Sequence, residues 1–173
     1  MSKRLGGTGA GPLALAQLSE VTTAALATEV YTEKFEIGWN RLMPGSVMKF
    51  KGHGFINSKS SSTRGMTFNF YLGSTAVLVC NKASVTSSLS ALEVEIEGML
   101  TVRTVGATGT VWGQMSVKTP ESTGTMELDL RDSGAAIDSI DTTGSLNAYL
   151  GVVTDTADAD NWIKVEQFVL EVL

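Results

Sequence analysis

The sequence is short of the residues on which most protein chemistry rests. Its 173 residues include one cysteine, one histidine and three prolines. A single cysteine excludes an internal disulfide framework, and one cysteine with one histidine cannot close a zinc site within one chain. Charged residues are 18% of the chain, against roughly 25% in ordinary soluble domains. Positive charge is the scarcer sign. Thirteen Lys and Arg face 18 Asp and Glu, a net charge of −5, which opposes a nucleic-acid face because phosphate contacts need a basic surface. No apolar run approaches the roughly 18 residues of a membrane-spanning helix. Lys3 and Arg4 imitate the start of a signal peptide, but Leu13-Ala14-Leu15-Ala16 is too short for its apolar core. No targeting signal is read, and synthesis in a reducing cytoplasm is expected.

What is present is hydrophobic and glycine-rich. A 43% hydrophobic share is too high for a disordered chain, and the length suits one domain. Residues 1–28 stand apart as a Gly/Ala-rich N-terminal arm, in which Leu15, Leu18 and Val21 could share one side of a short helix. The arm reads either as a mobile tail or as a segment that orders against a neighbouring subunit.

From residue 29 the period is two. Tyr31, Glu33, Phe35 and Ile37 predict one face of a first strand; Met48, Phe50, Gly52, Gly54 and Ile56 predict one face of a second. The two glycines in the second strand leave room for a bulge or a close backbone approach. Met66, Phe68, Phe70 and Leu72 alternate with polar residues, and the apolar run Ala76 to Cys80 fits the expectation of a buried strand. Leu92, Val94, Ile96, Gly98, Leu100 and Val102 alternate with Glu93, Glu95 and Glu97, which requires one wet face and one core face. Turns are read at 42–46 and 106–109. Val111, Gly113, Met115 and Val117 return after the second turn, then 126–130 and Leu146 to Val152 make further strands. Trp162 to Leu173 closes the chain, apolar at both parities, as a strand central in its sheet or covered by a partner. Eight to ten strands at this spacing predict an all-β fold: an antiparallel β-sandwich of jelly-roll type, residues 29–173, behind the extended arm.

Chemistry is hard to find. A nucleophilic triad or dyad would have to use His53, and nothing marks a partner for it. Cys80 follows four apolar residues and reads as core. The acidic stretch from Asp155 to Asp160 lacks the glycine and bidentate glutamate of a helical calcium loop and reads as a solvated loop. Glu93, Glu95 and Glu97 are a wet strand face before they are a glycosidase pair. Gly106-Ala107-Thr108-Gly109 lacks the lysine of a phosphate loop. No enzyme activity, metal or cofactor is expected. Among Trp39, Trp112 and Trp162, Trp112 falls on the polar parity of its strand and is the best candidate for exposure or a subunit contact.

Three stretches carry a resemblance. They are Leu42-Met43-Pro44-Gly45-Ser46; Val102-Arg103-Thr104-Val105-Gly106-Ala107-Thr108-Gly109; and Ile140-Asp141-Thr142-Thr143 leading to Leu146, with Trp162-Ile163 and the ending Phe168-Val169-Leu170-Glu171. In this order they resemble the small jelly-roll domains of tailed-phage virion proteins. The size, with an arm in front, is similar to head decoration or cement proteins. That resemblance implies a non-enzymatic subunit on the outer capsid surface of the virion, commonly a homotrimer, stapling neighbouring major capsid proteins, with no nucleic-acid or membrane partner. The candidate interface is Leu13, Leu15, Leu18 and Val21 of the arm together with Trp112 and Trp162. Two alternatives stay open: a tail-fibre, baseplate or tail-tip subunit that binds a host receptor, and a carbohydrate-binding module.

Overall fold

A computed structural model describes residues 13–16, 21–24, 29–38, 41–57, 64–85, 90–122, 125–132, 137–154 and 162–173. Thirteen strands follow in chain order. They are β1 (Leu13–Ala16), β2 (Val21–Ala24), β3 (Val30–Tyr31), β4 (Phe35–Ile37), β5 (Val47–Asn57), β6 (Arg64–Leu72), β7 (Thr75–Val85), β8 (Leu92–Thr104), β9 (Gly109–Ser122), β10 (Thr125–Asp132), β11 (Ile137–Ile140), β12 (Leu146–Thr154) and β13 (Trp162–Val172).

The alternating apolar residues resolve into two antiparallel sheets whose inner faces meet. The larger sheet runs β1-β13-β5-β8-β9-β10, with β2 also on β13 and β11 on β9. The smaller runs β3-β12-β6-β7, with β4 on β12. The last two strands insert beside the first ones, β12 against β3 and β4, and β13 against β5. This is the winding of an antiparallel β-sandwich of jelly-roll type. The core holds Phe35, Phe50, Phe70 and Phe168 as one aromatic group, Phe50 and Phe70 stacked at 4.1 Å and Phe35 and Phe168 at 5.7 Å. Each such ring removed from water contributes roughly 1.5–3 kcal/mol. Phe50 lies across its strand pair from Gly98, and its ring fills the space where a side chain at Gly98 would stand.

The periodicity holds along β5, β6, β8 and β9, whose predicted core faces are buried or nearly so. It fails in two places, each for a local reason. The predicted first strand is two pieces, because Thr32 turns its hydroxyl into the ladder. Leu150 N donates to Thr32 Oγ1 at 2.9 Å while Thr32 N donates to Leu150 O at 2.9 Å. A side chain thus takes the place of a backbone carbonyl and the parity changes. Phe35 and Ile37 face the core, but Tyr31 faces out. In β13 the register against β5 slips between Val165 and Gln167. This β-bulge moves the core face from Ile163 and Val165 to Phe168, Leu170 and Val172, with Glu166 and Gln167 outside. The strand is apolar at both parities because of the bulge, and it is also interior to its sheet. Gly54 sits opposite the bulge, where an added Cβ would collide with the backbone carbonyl of Lys164.

The helix read at Leu15, Leu18 and Val21 is corrected at Leu15 and Val21, Leu18 lying outside the described residues. Leu13–Ala16 and Val21–Ala24 are strands paired with β13, Leu13 opposite Val172 and Val21 opposite Val165. They run antiparallel beside the two halves of β13, on either side of its bulge.

Candidate functional site

The outward side chains of the larger sheet form a grid, because antiparallel register sets them in rows across β13, β5, β8 and β9. One row is Leu173, Val47, Thr101 and Trp112, Leu173 joined to Val47 by reciprocal backbone hydrogen bonds. The next is Glu171, Lys49, Met99 and Gln114; then Val169, Lys51, Glu97 and Ser116; then Gln167, His53, Glu95 and Lys118. The last three rows line a trough of about 940 Å³.

Its charges balance, since Lys49, Lys51 and Lys118 stand among Glu95, Glu97 and Glu171. Cross-strand placement accounts for this: opposite charges on facing positions stabilise a sheet and like charges do not. Lys118 Nζ bonds Glu95 Oε2 at 3.1 Å, and His53 Nε2 meets Glu93 Oε1 at 2.7 Å. Lys49, Lys51, Glu97 and Glu171 make no ion pair among the described residues. His53 is thus a hydrogen-bonded histidine on an interior strand of its sheet, with Glu93 as its partner. Trp112 is 38% exposed at one corner, with the Arg103 guanidinium 6.0 Å from its ring centre. Such an exposed cation–π contact is worth roughly 0.5–1 kcal/mol.

Residues 42–46, 102–109 and 140–143, which carried much of the sequence resemblance, meet at this end of the sandwich, whereas Trp162-Ile163 lies at the other end, opposite Asn57 and Ile56. Gly45 N donates to Val102 O at 2.8 Å, and Val102 N to Ser46 O at 2.9 Å. Thr142 is buried; its Oγ1 accepts from Gly106 N at 2.7 Å, and its own N donates to Gly106 O at 2.9 Å. Asp141 accepts from Thr143 N and Oγ1, and those bonds lower its carboxyl below the usual range. The motif residues therefore lock turns to one another.

On the outer face of the smaller sheet lies a second cluster, which sequence reasoning missed. Tyr31, Tyr71 and Tyr149 are all the tyrosines of the chain. Tyr71 and Tyr149 stack at 4.9 Å, and Tyr31 stands edge-on to both. Glu29 is the hub. Asn69 Nδ2 donates to its Oε1 at 2.6 Å, while Tyr71 OH and Tyr31 OH donate to Oε2 at 2.7 and 3.2 Å. Gly151 leaves the space the carboxylate occupies. The Lys34 ammonium sits 4.6 Å from the Tyr149 ring centre. Desolvation first, and then the hydrogen bond to Glu29, push the Tyr71 phenol well above its ordinary value; Tyr31 and Tyr149 are raised too. The cluster pins the chain where the arm enters the sandwich. A signal was present: Tyr71 and Tyr149 both lie on the outward parity of strands whose other face is apolar.

The remaining candidates fall as follows. Leu13 and Leu15 lie in β1 and Val21 in β2, while Leu18 lies outside the described residues. Trp162 opens β13, half-buried, between Ala24 of β2 and Asn57 of β5. Trp112 and Trp162 are not brought together. Trp39 and residues 155–160 are outside the described residues. Cys80 is buried, its Sγ against Met115 O at 3.5 Å. Among the described residues no cluster of three or more His, Cys, Asp or Glu side chains is placed to hold a metal ion.

No protein-family profile matches the sequence, and no curated protein matches it significantly. Solved structures with a similar strand arrangement include a chain of infectious bursal disease virus, Gx strain. It has 13% identity and a TM-score of 0.40, with 94% of this chain and 32% of that one covered. Peanut lectin with a bound nonapeptide superposes at a TM-score of 0.45 and 8% identity, covering 95% of this chain and 98% of the lectin. The CBM2 module of the evolved Dit of Lactobacillus casei BL23 phage J-1 does so at 0.33 and 8%, covering 95% and 91%. The chain spans about a third of the bursal disease virus chains it matches. Its structural neighbours thus include viral, phage and lectin β-sandwiches, at TM-scores below 0.5, and no role passes from them to it.

Proposed function

We propose that the chain is a non-enzymatic structural protein of a phage virion. It is a decoration or cement subunit that binds the outer head lattice and staples neighbouring major capsid subunits, with residues 1–28 latching onto neighbours. The observation that carries this reading is the pairing of β1 and β2 along the edge of β13. Main-chain pairing of this kind depends little on side chains. A strand that adds to an edge within one subunit adds equally well to the identical edge of the next. On a lattice the neighbouring edge is held close, so its effective concentration is high and exchange costs little. The resulting assembly, a homotrimer in this reading, would be stabilised by mass action.

Deletion of residues 2–25 tests it. The truncated protein should keep the sandwich folded, by circular dichroism and cooperative unfolding, and lose co-sedimentation with purified heads. Binding as tight as that of the full chain would overturn the arm mechanism. The outer trough favours a second reading, a tail-fibre, baseplate or tail-tip subunit that meets a host receptor. Copy number per particle separates the two, because a head lattice demands far more copies than a tail.

A further inference from the structure

We propose that the trough on the outer face of the larger sheet is a binding site for a neutral oligosaccharide. The inference stands apart from whether the chain sits on a head or a tail. Four observations carry it. First, the trough has the volume of a small-molecule site: about 940 Å³, within the roughly 300–1,000 Å³ usual for ligand pockets. Second, its walls mix hydrogen-bonding groups of both kinds with the carbon stems that carry them. Lys49 and Lys51 donate, Glu97 and Glu171 accept, and Gln114, Ser116 and Gln167 do both. A sugar hydroxyl also donates and accepts at once, so each finds a partner of either kind on facing strands. Third, three lysines stand among three glutamates, so neither a polyanion nor a polycation gains from the site's field. Met99 and Val169 are the aliphatic lining side chains that point outward, too few to hold an apolar ligand. Fourth, Trp112 is exposed two residues along β9 from Gln114, on the same face. That places an aromatic plane about 7 Å from the trough wall, where the C–H face of a pyranose ring can stack.

The charges in the centre are also available. Lys49, Lys51, Glu97 and Glu171 make no ion pair among the described residues, so a ligand need not break one to reach them. Glu95 and Lys118, and His53 and Glu93, are paired and hold the floor's far end in place.

Nitrogen-15 NMR of the full chain, titrated with neutral tetrasaccharides of glucose, galactose and N-acetylglucosamine, is the test. At least one should shift amides of β5, β8, β9 and β13 around Lys51, Glu97, Gln114 and Val169, with a dissociation constant of about 1 mM or below. Trp112→Ala, Lys51→Ala and Glu97→Gln replace outward side chains, and each should weaken that binding about tenfold while the spectrum stays that of a folded sandwich. Shifts centred on Tyr31 and Tyr149 instead, or no shifts with any of the three sugars, would overturn the proposal. So would preferential binding of a sulfated oligosaccharide or of tetralysine. Concentration-dependent shifts at the same residues without sugar would assign the trough to a second copy of the chain and equally overturn it.

Discussion

Gly98 and Phe50 make the sharpest energetic prediction. The Phe50 ring lies on Gly98, with three of its carbons inside 3 Å of the place where an alanine Cβ would be, one of them at 2.7 Å. The ring cannot retreat, because it is stacked on Phe70 at 4.1 Å and backed by Phe168 at 6.2 Å. Gly98→Ala should therefore overpack the core, at a cost of about 1–3 kcal/mol. Phe50→Ala should cost about 3–5 kcal/mol through lost burial and the cavity left behind. The double variant should not show the sum. Once the ring is gone, the new methyl has room, and replacing a strand glycine restricts the unfolded chain, a gain of about 0.4–1 kcal/mol. Gly98→Ala thus changes sign between the two backgrounds, giving a coupling of at least about 1.5 kcal/mol. Urea unfolding of the four proteins, followed by circular dichroism with slopes compared, measures it. An equal cost of Gly98→Ala in both backgrounds would refute this account of the core.

Two further predictions follow from particular residues. Ala91 holds φ at +49° just before β8 and is exposed. That conformation costs an L-residue about 1–2 kcal/mol, so Ala91→Gly should raise the melting temperature by about 2–4 °C per kcal/mol gained; a fall would refute the strain. The three tyrosines should all ionise above 10.0 in the folded protein when followed by ultraviolet phenolate absorbance. Their folded values lie above the unfolded one, so the stability they contribute is full below pH 10 and is lost as pH rises through the folded values. Glu29→Gln should lower all three and flatten that loss, and a normal tyrosine in the folded wild type would contradict the cluster.

Where one face is wet and the other is core, the sequence was readable. The alternation in β5, β8 and β9 named the buried residues, and Gly54 announced the close backbone approach at the bulge, whereas Gly52 meets only the side chains of Ile96 and Phe168 at ordinary contact distance. The failures come from tertiary hydrogen bonding. Nothing local says that Thr32 will take a carbonyl's place opposite Leu150, or that β13 will slip by one residue against β5. The short arm strands Leu13–Ala16 and Val21–Ala24 carry no alternation of apolar and charged residues, so nothing in their sequence marks them as strands on β13. The trough was half legible. Glu93, Glu95 and Glu97 were recognised as a wet face and Trp112 as an outward tryptophan. Their alignment with Lys49, Lys51 and Lys118 depends on register between strands tens of residues apart.

The central claim, a subunit that decorates a head lattice and latches to its neighbours, is tested most directly by cryo-electron microscopy of particles that carry the protein. The account predicts sandwich-sized density repeated with the symmetry of the outer head, with residues 13–24 bridging to an adjacent subunit. Density at the tail alone, or isolated sandwiches with no bridge between them, would contradict it.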